Sequence, residues 1–136
     1  RILQVGPPKD LYRRPESSFV LEFLGSTNRI AIRRDGDRLV GDGLDFPVPA
    51  AAEGWRDGVY LRTEDLALSD RPTAVHPGPP GEIALSVFLG NVHRYVVAVG
   101  AQSLIADRPP GETERAVGDR VFLAFDPDHC RAAERA

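Results

Sequence analysis

Two periodicities divide this chain. In residues 7–24 apolar side chains recur at helical spacing: Phe19 and Phe23, and Val20 and Leu24, stand four apart on one side. Proline lacks the N–H that a helix interior needs, but it fits a first turn. Pro15 therefore predicts two short helices, the second starting at that proline and stopping at Gly25. Beyond Gly25 the period falls to two, the spacing of a strand with one buried face. Arg29–Arg33 alternates, Asp35-Gly36-Asp37 is a hairpin signal, and Arg38–Val40 returns. Asp42-Gly43 is a second turn, and Leu44–Val48 and Gly58–Arg62 are further strands, with Ala50–Trp55 a loop or one helical turn between them.

The second half repeats the pattern. Residues 69–81, rich in proline and glycine, read as a surface connection. In Glu82–Leu89 strict alternation puts Ile83, Leu85, Val87 and Leu89 on one face. After a turn at Gly90-Asn91, Tyr95, Val97 and Val99 continue that apolar face as far as Gly100. Gln102–Ala106 and Arg120–Phe125 complete the set, the latter with Val121, Leu123 and Phe125 inward. Ile83, Leu85, Val87, Val97, Leu123 and Phe125 are expected to share one core. About seven short strands with frequent turns predict a mainly β domain, a small closed barrel or sandwich.

Composition narrows the partners. A chain of 136 residues fits one domain with a modest core. No apolar run approaches the roughly 18 residues of a membrane span, and the start lacks the long apolar region of a signal peptide. No methionine occurs, even at position 1, which suggests a piece of a larger protein. The net charge of −3 argues against nucleic acid, whose partners display a basic excess. The single cysteine, Cys130, forbids an internal disulfide and suits a reducing cytoplasm. Near the chain end it reads as an inert or partly exposed thiol.

The opening, Ile2-Leu3-Gln4-Val5-Gly6-Pro7-Pro8-Lys9-Asp10-Leu11-Tyr12-Arg13-Arg14-Pro15 and then Phe19-Val20-Leu21-Glu22-Phe23-Leu24-Gly25, resembles the last turns of the ATPase domain in bacterial ABC importers of the sugar, polyamine and iron(III) type. Three later segments are similar to that family in order and spacing: Leu61-Arg62-Thr63-Glu64-Asp65-Leu66, Val87-Phe88-Leu89-Gly90-Asn91, and Gly118-Asp119-Arg120-Val121-Phe122-Leu123-Ala124-Phe125-Asp126-Pro127. The resemblance implies a transport-associated OB (TOBE) domain at 25–136, an OB-like or MOP-like small β-barrel, preceded at 1–24 by the helical tail of an upstream ATPase domain. It marks Gly6, Tyr12, Pro15, Phe23, Gly25, Arg62, Glu64, Asp65, Gly90 and Gly118 as family-motif residues, structural or regulatory rather than catalytic. Thr63 stands where the family usually has proline, which would loosen the turn after Arg62. The tail from His129 to Ala136 lacks the apolar strand that often closes the barrel.

Function follows in the same terms. The chain has no G-x-x-x-x-G-K-[ST] phosphate loop and no transporter signature motif, so it is expected to be non-enzymatic, with ATP and Mg belonging to an upstream domain. The adjacent acids Glu64 and Asp65 would point apart on a strand and are expected to pair with an arginine such as Arg62. His76, His93 and His129 are too scattered for a metal site, and His129-Cys130 alone cannot fill a zinc shell. Trp55 reads as a core lid or loop anchor. By resemblance, the expected partners are a second copy of the same subunit, an ABC permease reached through the parent ATPase, and a regulatory protein or small effector. The expected place is the cytoplasmic face of the cell membrane. The importer's solute would be iron(III) or a polyamine. A different class, a stand-alone OB module for oxyanions, would need a polar cluster such as Arg94, Ser86 and Ser103.

Overall fold

The computed structural model describes residues 26–49 and 57–132. The expected helices at 7–24, the motif residues Gly6, Tyr12, Pro15, Phe23 and Gly25, and the Ala50–Trp55 segment lie outside the described residues. Ten strands follow in order: β1 (Thr27–Asp35), β2 (Arg38–Gly41), β3 (Leu44–Pro47), β4 (Asp57–Arg62), β5 (Ala67–Ser69), β6 (Gly81–Phe88), β7 (His93–Val99), β8 (Gln102–Arg108), β9 (Arg120–Ala124) and β10 (Arg131–Ala132). They form two five-stranded sheets, ordered β10-β4-β1-β2-β3 and β5-β9-β6-β7-β8. Every ladder is antiparallel.

The predicted turns make the sheets. Gly36-Asp37 joins β1 to β2, with Asp35 opposite Arg38. Asp42-Gly43 joins β2 to β3 with positive φ at both residues (51° and 86°), the requirement of a type I′ turn and the reason Asp-Gly suits it. In β1 the exposed and buried positions alternate from Thr27 to Arg33, so Asn28, Ile30 and Ile32 face the other sheet. The main core between the sheets gathers Ile30, Leu39, Phe46, Val59, Leu61, Leu66, Ile83, Tyr95, Val97, Leu104, Val121 and Leu123, among others. Phe125 packs against it edge-on to Phe46, ring centroids 5.1 Å apart. Each large apolar side chain fully buried here contributes roughly 1.5–3 kcal/mol.

Strand β6 departs from strict alternation. Ile83 pairs with Val97 but Leu85 pairs with Val96, so a β-bulge inserts one residue between them. An extra residue inverts the phase of everything after it. Ile83 therefore enters the main core, whereas Leu85, Val87 and Leu89 turn to the opposite face of the sheet. There they join Val96 and Ile105 in a second, smaller cluster. The single shared core expected from the sequence is thus two cores.

The sheets do not close into a barrel by backbone pairing. The side chains of two amides lace β1 to β8 instead. Asn28 of β1 donates from Nδ2 to the Ile105 carbonyl and accepts from its N–H, both at 2.8 Å. Gln102 of β8 returns the arrangement on Ala31 of β1, at 2.9 and 3.0 Å. Each amide stands in for one rung of a ladder.

The proline-rich connection is less superficial than its composition suggests. Val75 and His76 are buried. His76 Nδ1 accepts from the Leu123 N–H (2.8 Å), while Thr73 Oγ1 donates to the Leu123 carbonyl (2.6 Å). On the other side, the Asp45 N–H donates to the Val75 carbonyl and the Gly78 N–H to the Gly43 carbonyl. The segment is a strap hydrogen-bonded to both sheets. The tail adds a two-residue edge strand, β10, which pairs with β4 but closes no barrel, as its lack of an apolar strand led one to expect. Just before it, Cys130 is fully buried. Burial away from water pushes its thiol up to about 12.

Candidate functional site

Strand β4 ends in a 3-10 turn, Thr63–Asp65, within the segment Leu61–Leu66. Thr63 is buried and pinned. Its N–H donates to the Ser26 carbonyl (3.0 Å) and its hydroxyl donates to Asp107 Oδ2 (2.7 Å). A threonine in place of proline thus secures this turn rather than loosening it, because its hydroxyl finds a buried acceptor. Asp107 in turn holds Arg94 in a fork, Nε to Oδ1 at 2.7 Å and Nη2 to Oδ2 at 2.6 Å. The pair is nearly buried, a setting in which two parallel charge-assisted bonds offset part of the desolvation cost. Arg108 of β8 also reaches under the turn, from Nη1 to the Leu66 carbonyl at 3.2 Å and the Glu64 carbonyl at 3.3 Å. Its other nitrogens bind Glu112, whose carboxyl is held below the usual carboxylate range by that hydrogen bond.

The expected ion pair at Arg62 is absent among the described residues. Arg62 and Glu64 are exposed, and neither side chain pairs with the other or with Asp65. The 3-10 turn bends the chain away just after Arg62, so the three side chains do not lie along one strand. Gly90 and Gly118 sit in exposed turns with φ of 94° and 95°. They lie in the other sheet's connections, away from Arg62. Arg94, Ser86 and Ser103 do not converge either: Arg94 is taken by Asp107, Ser86 Oγ lies 2.7 Å from His93 Nε2, and Ser103 is exposed.

Arg62 instead faces a hollow of about 410 Å³ lined by Thr27, Tyr60, Arg62, Asp65, His129 and Arg131. Register explains the gathering. Arg62 lies opposite Thr27 across the β4–β1 ladder, and Tyr60 lies opposite both Arg29 and Arg131. Alternation places all of these on the outer face of the sheet. Gly58 completes the face: a Cβ there would stand 2.7 Å from the Arg29 guanidinium, so glycine lets that side chain lie against the backbone. Sequence reasoning missed this cluster, since Tyr60, His129 and Arg131 meet only through the β10–β4 pairing. The Arg94–Asp107 pair did leave a signal: two opposite charges directly adjoin the apolar stretches 95–99 and 104–106.

The fold defined here is a small, mainly β, OB-like domain built from two antiparallel sheets. The family model described as TOBE domain matches residues 59–132, and the chain belongs to that family. It is 34% identical over 94% of its length to a spermidine/putrescine import ATP-binding protein of Pseudomonas aeruginosa, covering 37% of that protein. It is 32% identical over 93% of its length to an sn-glycerol-3-phosphate import ATP-binding protein of Paracoccus denitrificans, covering 36% of it. An Fe(3+) ions import ATP-binding protein of Rhizobium meliloti is 30% identical over 91% of this chain, again with 36% of that protein covered. The chain spans little more than a third of these relatives.

Proposed function

We propose that this chain is the C-terminal regulatory domain of an ABC importer's ATP-binding subunit. The observation that carries the reading is the TOBE match over 59–132, on a fold of the corresponding type. The import ATP-binding proteins aligned along nearly the whole chain support it. In this reading residues 1–24 are the helical tail of a preceding ATPase domain. ATP and Mg belong to that domain.

The domain's own work is mechanical. It pairs with a second copy and holds two ATPase subunits together while their nucleotide sites open and close. A membrane permease is the partner of the parent subunit, which places this domain at the cytoplasmic membrane face. For the solute we propose a polyamine or iron(III), with the 34% identity to a spermidine/putrescine importer supporting the former. Tethering raises the effective concentration of paired modules to about millimolar, so the isolated contact need not be tight. Sedimentation equilibrium of the 136-residue chain should show a two-fold dimer that dissociates at micromolar concentration or above and weakens with salt. A strictly monomeric chain at millimolar concentration would remove the dimerising role. A preceding coding segment without a phosphate loop would remove the ATPase parent.

A further inference from the structure

The face of β6, β7 and β8 turned away from the main core is buried at one end only. Cross-strand partners share a face, so register lays out three rows there: Val87, Arg94 and Asp107; Leu85, Val96 and Ile105; Glu82, Ala98 and Ser103. In the first two rows Val96 is 0% exposed, Ile105 4%, and the Arg94–Asp107 pair 8% and 9%. In the third row Glu82 and Ser103 are exposed and Ala98 is half-buried. Among the described residues no second sheet lies over the buried rows, because Ile83, Tyr95, Val97 and Leu104 meet the other sheet from the opposite side.

Chain continuity says what can cover them. Three segments adjoin the described residues: 1–25, 50–56 and 133–136. Asp57 lies opposite Arg33, and Ala132 lies opposite Val59 with the chain running on towards Asp57. The last two segments therefore join the domain at the end of β4 remote from Thr63. The first joins it beside the buried rows. The Ser26 carbonyl accepts from the Thr63 N–H, the Thr63 hydroxyl donates to Asp107, and Asn28 holds both backbone groups of Ile105. Leu24 precedes Asn28 by four residues, a span of at most about 14 Å.

That segment brings a matching surface. Phe19, Val20, Phe23 and Leu24 recur at the spacing of a helix that buries one stripe. So short a helix is marginal alone in water and needs an apolar face to pack on. Residues 15–24 as a helix would be about 15 Å long, enough to cross the roughly 10 Å from β6 to β8. We propose that residues 15–24 dock as a helix on this face, with the Phe19 and Phe23 stripe over Leu85, Val87, Val96 and Ile105. The docked stripe also seals the Arg94–Asp107 pair from water. The tail thus belongs by sequence to whatever precedes this domain, yet buries its apolar side here, so that the junction between the two is a packed contact and not a free linker. The proposal stands apart from the dimerising role, and its failure would leave the sedimentation test untouched.

The test is nuclear Overhauser spectroscopy of the 136-residue chain with labelled Val, Leu and Ile methyl groups. Cross-peaks are expected from the Phe19 and Phe23 rings to the Val87, Val96 and Ile105 methyls, and none to Val97 or Leu104 in the main core. They should be missing between chains when labelled and unlabelled copies are mixed. Cross-peaks that arise only between chains would mean that a second copy covers the face, and a lack of any to these methyls would mean that the stripe packs elsewhere; either result overturns the proposal. Phe23→Asp should shift the Val96 and Ile105 methyl resonances and raise the fluorescence of an added apolar dye about threefold or more. Val117→Asp, at a position already exposed, should do neither. Unmoved Val96 and Ile105 resonances in Phe23→Asp, or an equal response to Val117→Asp, would refute the contact. Should Phe23→Asp unfold the domain, the cross-peaks of the unaltered chain still decide.

Discussion

Replacing Asn28 by alanine should be among the most damaging single changes to this domain. Its side chain occupies both the N–H and the carbonyl of Ile105 at 2.8 Å. Asn28 is 5% exposed and Ile105 4%, so water cannot replace the lost amide. A buried backbone group left without a partner costs roughly 1–3 kcal/mol. Two such groups give about 2–6 kcal/mol, a large fraction of the roughly 5–15 kcal/mol typical of a domain's whole stability. Gln102→Ala is the internal control. It removes the same two types of bond from Ala31, but that site is exposed and water takes over. About 0.5–1 kcal/mol is expected there. Urea denaturation followed by far-UV circular dichroism measures both, with m-values checked for constancy. If Asn28→Ala costs less than about 1 kcal/mol, or no more than Gln102→Ala, the seam is not held as described.

The bulge in β6 makes Ile83→Ala cost about 2–5 kcal/mol and half-buried Leu85→Ala under about 2; equal losses in denaturant would mean that both face one core. Burial lowers the pKa of His76 below its usual 6.5. The unfolded chain therefore takes up the proton first, so its contribution is intact above about pH 6.5 and falls as the pH drops, by up to roughly 1.4 kcal/mol per unit until the folded imidazole also titrates. Urea midpoints between about pH 7.5 and 5 should show that decline, and His76→Gln should flatten it; an undiminished slope in the variant would refute the assignment. Cys130, with its thiol pushed up to about 12, should react with a disulfide reagent at about pH 8 at least a hundredfold more slowly in the native chain than in denaturant; comparable rates would show that the thiol is not enclosed.

Local signals carry most of the strand order. Alternation in β1 and the glycine turns at Gly36, Gly43 and Gly90 are legible because each depends on residues adjacent in sequence. The inversion after Ile83 is not, since a bulge leaves the composition of a strand unchanged and shows only in the partner's register. Nor are the short strands β5 and β10, which are too brief for a period and exist because β9 and β4 offer edges. The motif around Arg62 is visible, but the ion pair that its charges suggest does not form. What Arg62 faces depends on which strand lies beside β4, and that is set by a pairing some seventy residues away along the chain.

The strap through Thr73 and His76 also bears on how the domain comes apart. It grips both backbone groups of Leu123 in one sheet and the Gly43 and Asp45 backbone in the other. Neither sheet can shed the strap without exposing buried backbone in both. Opening is therefore concerted: the Asp45 and Leu123 amides, though on different sheets, belong to one unfolding unit and should exchange with solvent hydrogen at a common free energy. A segment whose composition marks it as a disposable linker is what makes two sheets, unclosed by any shared ladder, behave as a single cooperative body.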